Sequence, residues 1–537
     1  MWIWVARLLS SISNSRDVIA LITFSTGAKL LHKPGGYHFI PRTSRLNRAC
    51  WCTATAHPTT IEQLALRAPG ARQAIDCTAP TQVATKTRLL DRWLDKVVEL
   101  SGSQAIFFTI VAAVLTWAFL GIPFGHSNDW QVGISDAQAI INMIFDAFLM
   151  RQQLNSHESL MLVTACLRSR ITSNKRMLKS LMESGKYEMV KPIQFGDLKQ
   201  TEFAAKLPSE NWLGRISTAV SDFMGHIATV CAFWVCIFIW IGFGHYCGWS
   251  DTWQLYINSA TSAWMVFILA FLANIRERHN KYTTSCLVYI YKADAALELK
   301  LRSITGDRIE NGPVIISVPK RGRLQRGIDY YADLVGTLLG IAILFFVIII
   351  WIVIGPAMSF DSNWWLLIGT YAGLIGLNDG FVLRNVQNIL SGYQSTEFTQ
   401  LAYDDMDMLA VVGVSQLNEE RVADNSLSCR VSIAVGNVCS HEITVVLGAI
   451  LIVGLIIGAS AMGWSVTGQL LCNVPPSIIE SFFMMILVTG HNVGDAERRV
   501  DLHNLYLRRL KLISYLNTFV KIERQEELSS RQLLPVA

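Results

Sequence analysis

Residues 225–258 read GHIATVCAFWVCIFIWIGFGHYCGWSDTWQLYIN, and their reading decides the fold. An uncharged apolar run ends in a short turn without Lys or Arg, and a second apolar run starts at Trp253. Gly225, Trp240, Gly244 and Trp253 punctuate it. The same residues recur as Gly102, Trp117, Gly121, Trp130 and as Gly336, Trp351, Gly355, Trp364, at constant offsets of 123 and 111 with no gap. A fourth, degenerate copy places Gly468-Gln469 where Trp130-Gln131 and Trp253-Gln254 stand. Trp suits the membrane interface, and Gly permits a turn or close packing at a helix end. A fixed period of this kind marks one supersecondary unit used repeatedly.

Working outward, stretches near the roughly 20 residues needed to cross bilayer hydrocarbon as helix occur at 105–122, 131–150, 228–244, 255–273, 334–355, 366–383, 443–463 and 470–490. The sequence therefore predicts an all-α polytopic membrane protein. Its eight transmembrane helices form four repeated two-helix hairpins with long helical connections. The units expected are a tail over 1–85 and hairpins over 89–170, 211–305, 325–410 and 430–525.

The hairpin turns hold no Lys or Arg, whereas residues 151–215 carry eleven, 274–328 eleven, and the segment from His491 eight. By the positive-inside rule the long connections and both termini are cytoplasmic. Residues 385–430 carry only Arg421 and Arg430 among seven acids, which still points the same way because acids count little. All four units thus share one orientation, unlike the inverted repeats of many transporters.

Composition supports this reading. Of 537 residues only 16% are charged and 51% are hydrophobic, against about 25% charged in soluble proteins. A net charge of +5 is too small and dispersed to imply nucleic acid as a partner. The eleven Cys form no paired CxxC ladder, so neither a disulfide framework nor a zinc knuckle is expected. The tail has Asp17 as its only acid before Glu62 and contains Pro34-Gly35-Gly36, a composition shared by disordered tails and transit peptides.

No catalytic signature is present. There is no phosphate-binding Gly-x4-Gly-Lys loop and no Gly-x-Ser-x-Gly elbow, and His157-Glu158 and His441-Glu442 lack the second His of a zinc protease. No cofactor is expected. What remains is a set of polar groups inside the spans, which are costly there and mark either a pathway or a packed interface. In the first copy Ser135, Ala139, Asn142, Asp146, Met150 and Gln153 share one helical face, with Asp136 beside it. The repeat offsets transfer that face to Asn258, Ser262, Met265 and Leu269. They then give Gly369, Gly373, Gly376 and Gly380 with Asp379 adjacent, and lastly Asn473, Ser477, Glu480 and Met484, ending at His491.

On the pathway reading Asp136, Asn142, Asp146, Asn258, Asp379, Glu480 and His491 replace water around a divalent metal ion. On the packing reading small and polar residues at this spacing hold helices together. A carboxylate at mid-span, as at Asp146 and Glu480, favours the pathway; the glycine face favours packing. His126, His245 and Cys247 in the outer turns could catch a metal at the entrance, though exposed histidines commonly bind nothing. Asp404-Asp405-Met406-Asp407-Met408 could bind a metal leaving on the cytoplasmic side, though a charge run of this kind is usually a solvated helix face, and Cys231 and Cys236 read as core.

Ser101-Gly-Ser, Gly121-Ile-Pro-Phe-Gly-His-Ser127, Trp130-Gln-Val-Gly-Ile-Ser-Asp-Ala-Gln138 and Phe145-Asp-Ala-Phe-Leu-Met-Arg-Gln-Gln-Leu-Asn155 together resemble the low-affinity iron permeases of fungi. Trp249-Ser-Asp-Thr-Trp-Gln-Leu-Tyr-Ile-Asn258 is similar to shorter, one-hairpin bacterial members. The resemblance spans about residues 89–525 and excludes the tail. It implies a plasma-membrane carrier for ferrous iron that also accepts zinc, copper or manganese, and supplies no ligand list. The expectation is low-affinity Fe2+ uptake without ATP, with metal ion and lipid bilayer as partners and oligomeric state open. The rivals are a broad divalent-cation or proton-coupled carrier, and a membrane scaffold whose polar faces only pack helices.

Overall fold

The computed structural model describes residues 52–54, 89–125, 127–184, 211–316, 321–413, 419 and 427–532. Its helices come in three kinds that follow one another along the chain. Four have 13 residues: α1 (Leu89–Ser101), α4 (Trp212–Met224), α7 (Arg323–Val335) and α10 (Leu427–Cys439). Each precedes an apolar helix: α2 (Gln104–Phe124), α5 (Ile227–Gly244), α8 (Leu338–Ile354) and α11 (Glu442–Ala461). Helices of 50 to 59 residues come next, α3 (Asn128–Glu183), α6 (Asp251–Thr305), α9 (Ser362–Val411) and α13 (Val474–Gln532). A short α12 (Val466–Leu471) precedes the last of these.

The breaks between helices follow from local chemistry. Ser103, His226, Thr337 and His441 cap the apolar helices, each side chain accepting a backbone N–H of the first turn. Ser127, Ser250, Asp361 and Ser465 do the same for α3, α6, α9 and α12. Across three turns the tryptophans stack face to face: Trp117 on Trp130 at 4.3 Å, Trp240 on Trp253 at 3.8 Å and Trp351 on Trp364 at 4.3 Å. Trp351 Nε1 donates to the Trp364 carbonyl at 3.0 Å and Trp364 Nε1 returns a bond to the Trp351 carbonyl at 2.8 Å. Gly121 leaves the space that the Trp130 ring occupies, where any Cβ would collide.

The long helices close a ring: α3 packs on α6, α6 on α13, α13 on α9, and α9 on α3. The apolar helices stand outside it, α2 against α6, α5 against α13, α11 against α9 and α8 against α3. Their exposures differ as the solvent demands. The apolar window of α2 is 0% buried within the protein, whereas those of α6, α9 and the α12–α13 segment are 67%, 72% and 78% buried. The outer helices offer lipid an apolar surface, and the ring keeps its polar side chains away from it.

Among the described residues seven helices are long and apolar enough to cross a membrane, which makes this a multi-pass membrane protein. The eighth span expected, 131–150 in α3, is absent from that set. Ser135, Asp136, Gln138, Asn142 and Asp146 lower its hydropathy, and these are the residues read as a pathway. The fold also departs from a wholly helical expectation: β1 (Cys52–Ala54) pairs antiparallel with β2 (Val314–Ile316), Thr53 opposite Ile315. These three residues belong to the tail, whose composition suits a disordered or a targeting segment. Their main chain finds hydrogen-bond partners on β2, and backbone pairing of that kind leaves little trace in side-chain composition. The rest of residues 1–85 lies outside the described residues.

At about 1.5 Å per residue, a 55-residue helix is about 80 Å long, so the ring continues well beyond the hydrocarbon as a polar extension. Its core joins Leu167, Leu178, Leu297, Leu401, Tyr506 and Leu516. Arg509, fully buried, reaches Asp405 Oδ1 at 2.6 Å and Asp294 Oδ1 at 3.0 Å, and Arg170 approaches Glu298 Oε2 at 3.1 Å. Asp405 is thus no part of a solvated face. Burial raises the pKa of Asp294 and pushes that of Asp405 up to about 6, while Arg509 opposes the rise in both. Replacing Arg509 by Ala takes the nearest cation from two buried carboxylates, leaving Asp294 with Arg170 at 3.7 Å and Asp405 with Arg508 at 4.0 Å, and is expected to cost about 3 kcal/mol. The check is thermal or denaturant unfolding of the purified chain; an unchanged midpoint would mean that the acids do not need the arginine.

Candidate ion pathway

Positions related by the repeat offsets face one another on the ring axis, so the site can be described in layers. In the layer nearest the turns, Asn258 Nδ2 donates to Ser135 Oγ at 2.7 Å. Gly369 makes room for Asn473 in the same layer. One turn inward Ser262 Oγ donates to Gln138 Oε1 at 3.3 Å, and Thr261 and Ser477 share a hydrogen bond at 3.2 Å.

The next layer holds Asn142, Met265, Gly376 and Glu480. Asn142 Nδ2 donates to Glu480 Oε1 at 2.6 Å, and both residues are wholly buried. A Cβ on Gly376 would stand 2.5 Å from Asn142 Nδ2 and 2.6 Å from Glu480 Oε1, so the glycine gives this pair its space. Asp146 lies one turn further on α3, also wholly buried, with Glu480 and Asp379 as its charged neighbours. Asp379 Oδ1 accepts from Tyr331 Oη of α7 at 2.6 Å. Both Asp146 oxygens, Glu480 Oε2 and Asn142 Oδ1 have no hydrogen-bond partner. Such oxygens are acceptors only when ionised, and buried without donors they are suited to a cation.

Beneath the carboxylates Leu149, Leu272, Leu383 and Leu487 hold equivalent positions, each 0% exposed and all in one apolar cluster. They fill the ring between the acidic layer and a cavity of about 70 Å³ on the extension side. His491 lines that cavity and lies within 3.0 Å of His279 Nδ1 through its own Nε2, the two rings stacked at 5.0 Å. It stands eleven residues from Glu480, about 16 Å along the helix, and so is not a neighbour of the carboxylates. Asp136 is 6% exposed with Oδ2 unpartnered, but it lies beside the axial face.

Asn142, Asp146, Asp379 and Glu480 are therefore brought together, while Asn258 lies above them and His491 below. Among the described residues no three His, Cys, Asp or Glu side chains converge closely enough to hold a metal ion. Oxygen groups spaced along an axis instead offer successive weak contacts, the arrangement that lets an ion enter and leave. His245 and Cys247 are exposed at a turn, and His126 lies outside the described residues. Cys231 and Cys236 are exposed on the outer helix α5, not in the core. The sequence reading passed over Arg276 and Gln387 in the cavity, although the offsets that link Gln153 to His491 run through both.

A ring of long helices with buried ionisable groups on its inner faces, clad by apolar helices, defines a polytopic membrane protein. The sequence model of the family described as low affinity iron permease matches residues 213–302 and 428–534. A low-affinity iron/zinc ion transport protein of Schizosaccharomyces pombe is 36% identical over 428 residues, 79% of this chain and 73% of its own. A low-affinity Fe(2+) transport protein of Saccharomyces cerevisiae is 36% identical over 459 residues, 79% of this chain and 83% of its own. No solved structure matches. The chain belongs to the low-affinity iron permease family, whose members are transporters and not enzymes.

The Asn142–Glu480 layer makes a local prediction. Gly376→Ala places a methyl group between the two side chains and should cost about 1–3 kcal/mol of stability. Gly380→Ala should be neutral or slightly stabilising, because its nearest neighbour would be Phe483 Cβ at 3.6 Å and Ala is the better helix former by about 1 kcal/mol. Unfolding of the two purified variants tests the contrast, and equal effects would contradict the placement of the layer.

Proposed function

We propose that this chain mediates low-affinity uptake of Fe2+ along the axis of its four-helix ring. The observation that carries the reading is the pair of wholly buried carboxylates, Asp146 and Glu480, with three oxygens that no donor satisfies. The relatives' names supply the cargo, iron in both and zinc in one, so zinc is the second substrate. No cofactor takes part; the metal is cargo.

The first part of α3, 131–150, crosses the membrane as an eighth span beside the seven apolar helices. Each unit is then one amphipathic 13-residue helix followed by a two-helix hairpin, and four such units in parallel orientation surround the axis. Two of them coincide with the two stretches that the family model matches. The 13-residue helices expose Trp93, Trp212, Phe223 and Tyr330, which suits helices lying in the interface of the leaflet next to the extension. By the positive-inside rule the basic connections support a cytoplasmic position for that leaflet and both termini, in the plasma membrane.

Membrane potential drives the ion. Each charge gains about 2.3 kcal/mol per 100 mV moving inward, so Fe2+ gains about 4.6 kcal/mol without ATP. Few carboxylates per layer bind weakly and release fast, in keeping with low affinity.

Asp146→Asn and Glu480→Gln keep size and hydrogen-bonding capacity while removing charge. Each is expected to lower Fe2+ uptake per surface molecule at least tenfold, because an amide compensates a dehydrated divalent ion far less than a carboxylate. If both variants keep the wild-type maximal rate and half-saturating iron concentration, the acids only pack helices and the path lies elsewhere. Orientation has its own test. A tag beside Ser127 or Asp361 should be reached from outside intact cells, and one after Val536 only after permeabilisation; the reverse pattern overturns the direction of entry.

A further inference from the structure

The cavity below the leucines has the wrong charge for a cation site. Its walls come from all four long helices and include Gln153 of α3, Arg276 and His279 of α6, Gln387 of α9, and His491 and Arg498 of α13, with no Asp or Glu among the lining residues. The acids behind the wall are already engaged: Glu277 accepts from the lining Gln152 and faces Lys281, and Asp495 faces the lining His279 and Arg499. Arg498 donates to Gln394 Oε1 at 2.7 Å.

Two guanidiniums here have no counter-charge, Arg276 in the wall itself and Arg384 behind the lining residues Gln387 and Gly490. Arg276 is 7% exposed; its Nη1 donates to Gln153 Oε1 at 3.4 Å, while its Nη2 and Gln153 Nε2 are buried without an acceptor. Arg384, 6% exposed, donates from Nη1 to Gln387 Oε1 at 3.1 Å and leaves Nε without an acceptor. Its head presses on Gly490, a lining residue where any Cβ would collide with it. Among the described residues neither arginine forms an ion pair, whereas buried Arg151, Arg170 and Arg509 each face a carboxylate. An unpaired buried charge costs several kcal/mol. Two of them beside one polar cavity point to a missing anion. The space of about 70 Å³ exceeds what one or two waters need, about 10–15 Å³ each.

We propose that this cavity binds one small tetrahedral oxyanion of the sulfate or phosphate class, held by Arg276 and Gln153, with the charge of Arg384 behind Gln387 and Gly490 adding to the attraction. The guanidinium fork and amide N–H groups match oxyanion oxygens in geometry and charge. Because the site lies inside the helix ring, a free ion and not a lipid headgroup is the occupant. On the uptake reading, on which this second consequence rests, the bound anion cancels the positive charge that an arriving Fe2+ would otherwise meet on leaving the leucine layer.

The experiment is equilibrium binding of labelled inorganic sulfate to the purified full-length chain, with ionic strength held constant by chloride. Saturable binding of one sulfate per chain is expected, displaced by inorganic phosphate and not by chloride. Arg276→Gln, which keeps an amide donor, should weaken it at least tenfold, Arg384→Gln should weaken it by less, and Lys281→Gln outside the cavity should leave it unchanged. Absence of saturable sulfate binding to the wild-type chain overturns the proposal whether or not the variants fold, as does undiminished affinity in folded Arg276→Gln. Sulfate binding with no Fe2+ flux would count against the permease reading alone and leave the anion site standing.

Discussion

A carboxylate cannot face hydrocarbon, and the architecture follows from that constraint. Asp146, Asp379 and Glu480 sit buried on the long helices of a chain whose outer surface is built for lipid. The long helices must therefore turn their polar faces toward one another, and a closed ring is the arrangement in which all of them can do so. The apolar helices then need only coat it. This division explains why α2 is almost featureless in sequence while α3 is too polar to register as a span. It also explains why glycines line α9: Gly369 and Gly376 give up side-chain volume to Asn473, Asn142 and Glu480 on neighbouring helices.

The ring changes character along its length in a sequence that suits conduction. Amide and hydroxyl groups come first, then carboxylates with unmatched oxygens, then four leucines, then a cationic cavity. On the proposed pathway an ion at the acids would meet an apolar layer before reaching the other side, and hydrophobic layers of this kind gate by excluding water. Beyond the membrane the same helices continue into a core tied by Arg509, Asp294 and Asp405. The acidic layer and the extension thus share the same four continuous helices.

Much of this was legible in the repeat. The offset between Ser135 and Asn258 or between Asn142 and Glu480 places residues side by side in space, so sequence register amounted to a contact prediction. Other features were hidden for identifiable reasons. Asp405 looked like one acid in a solvated run because its partner Arg509 is about a hundred residues away in sequence. Arg276 looked like one more basic residue past the end of a span, and only the absence of a carboxylate around it marks it as unusual. The pairing of Thr53 with Ile315 is a main-chain interaction between distant segments, which composition does not encode.

The central claim is that the ring itself carries the ion. The most direct measurement is Fe2+ entry into liposomes containing only the purified chain, at imposed potentials of either sign. The account predicts entry above that of protein-free vesicles, saturating with iron and accelerated when the compartment receiving the ion is negative. Entry no faster than in protein-free vesicles at every potential would contradict it.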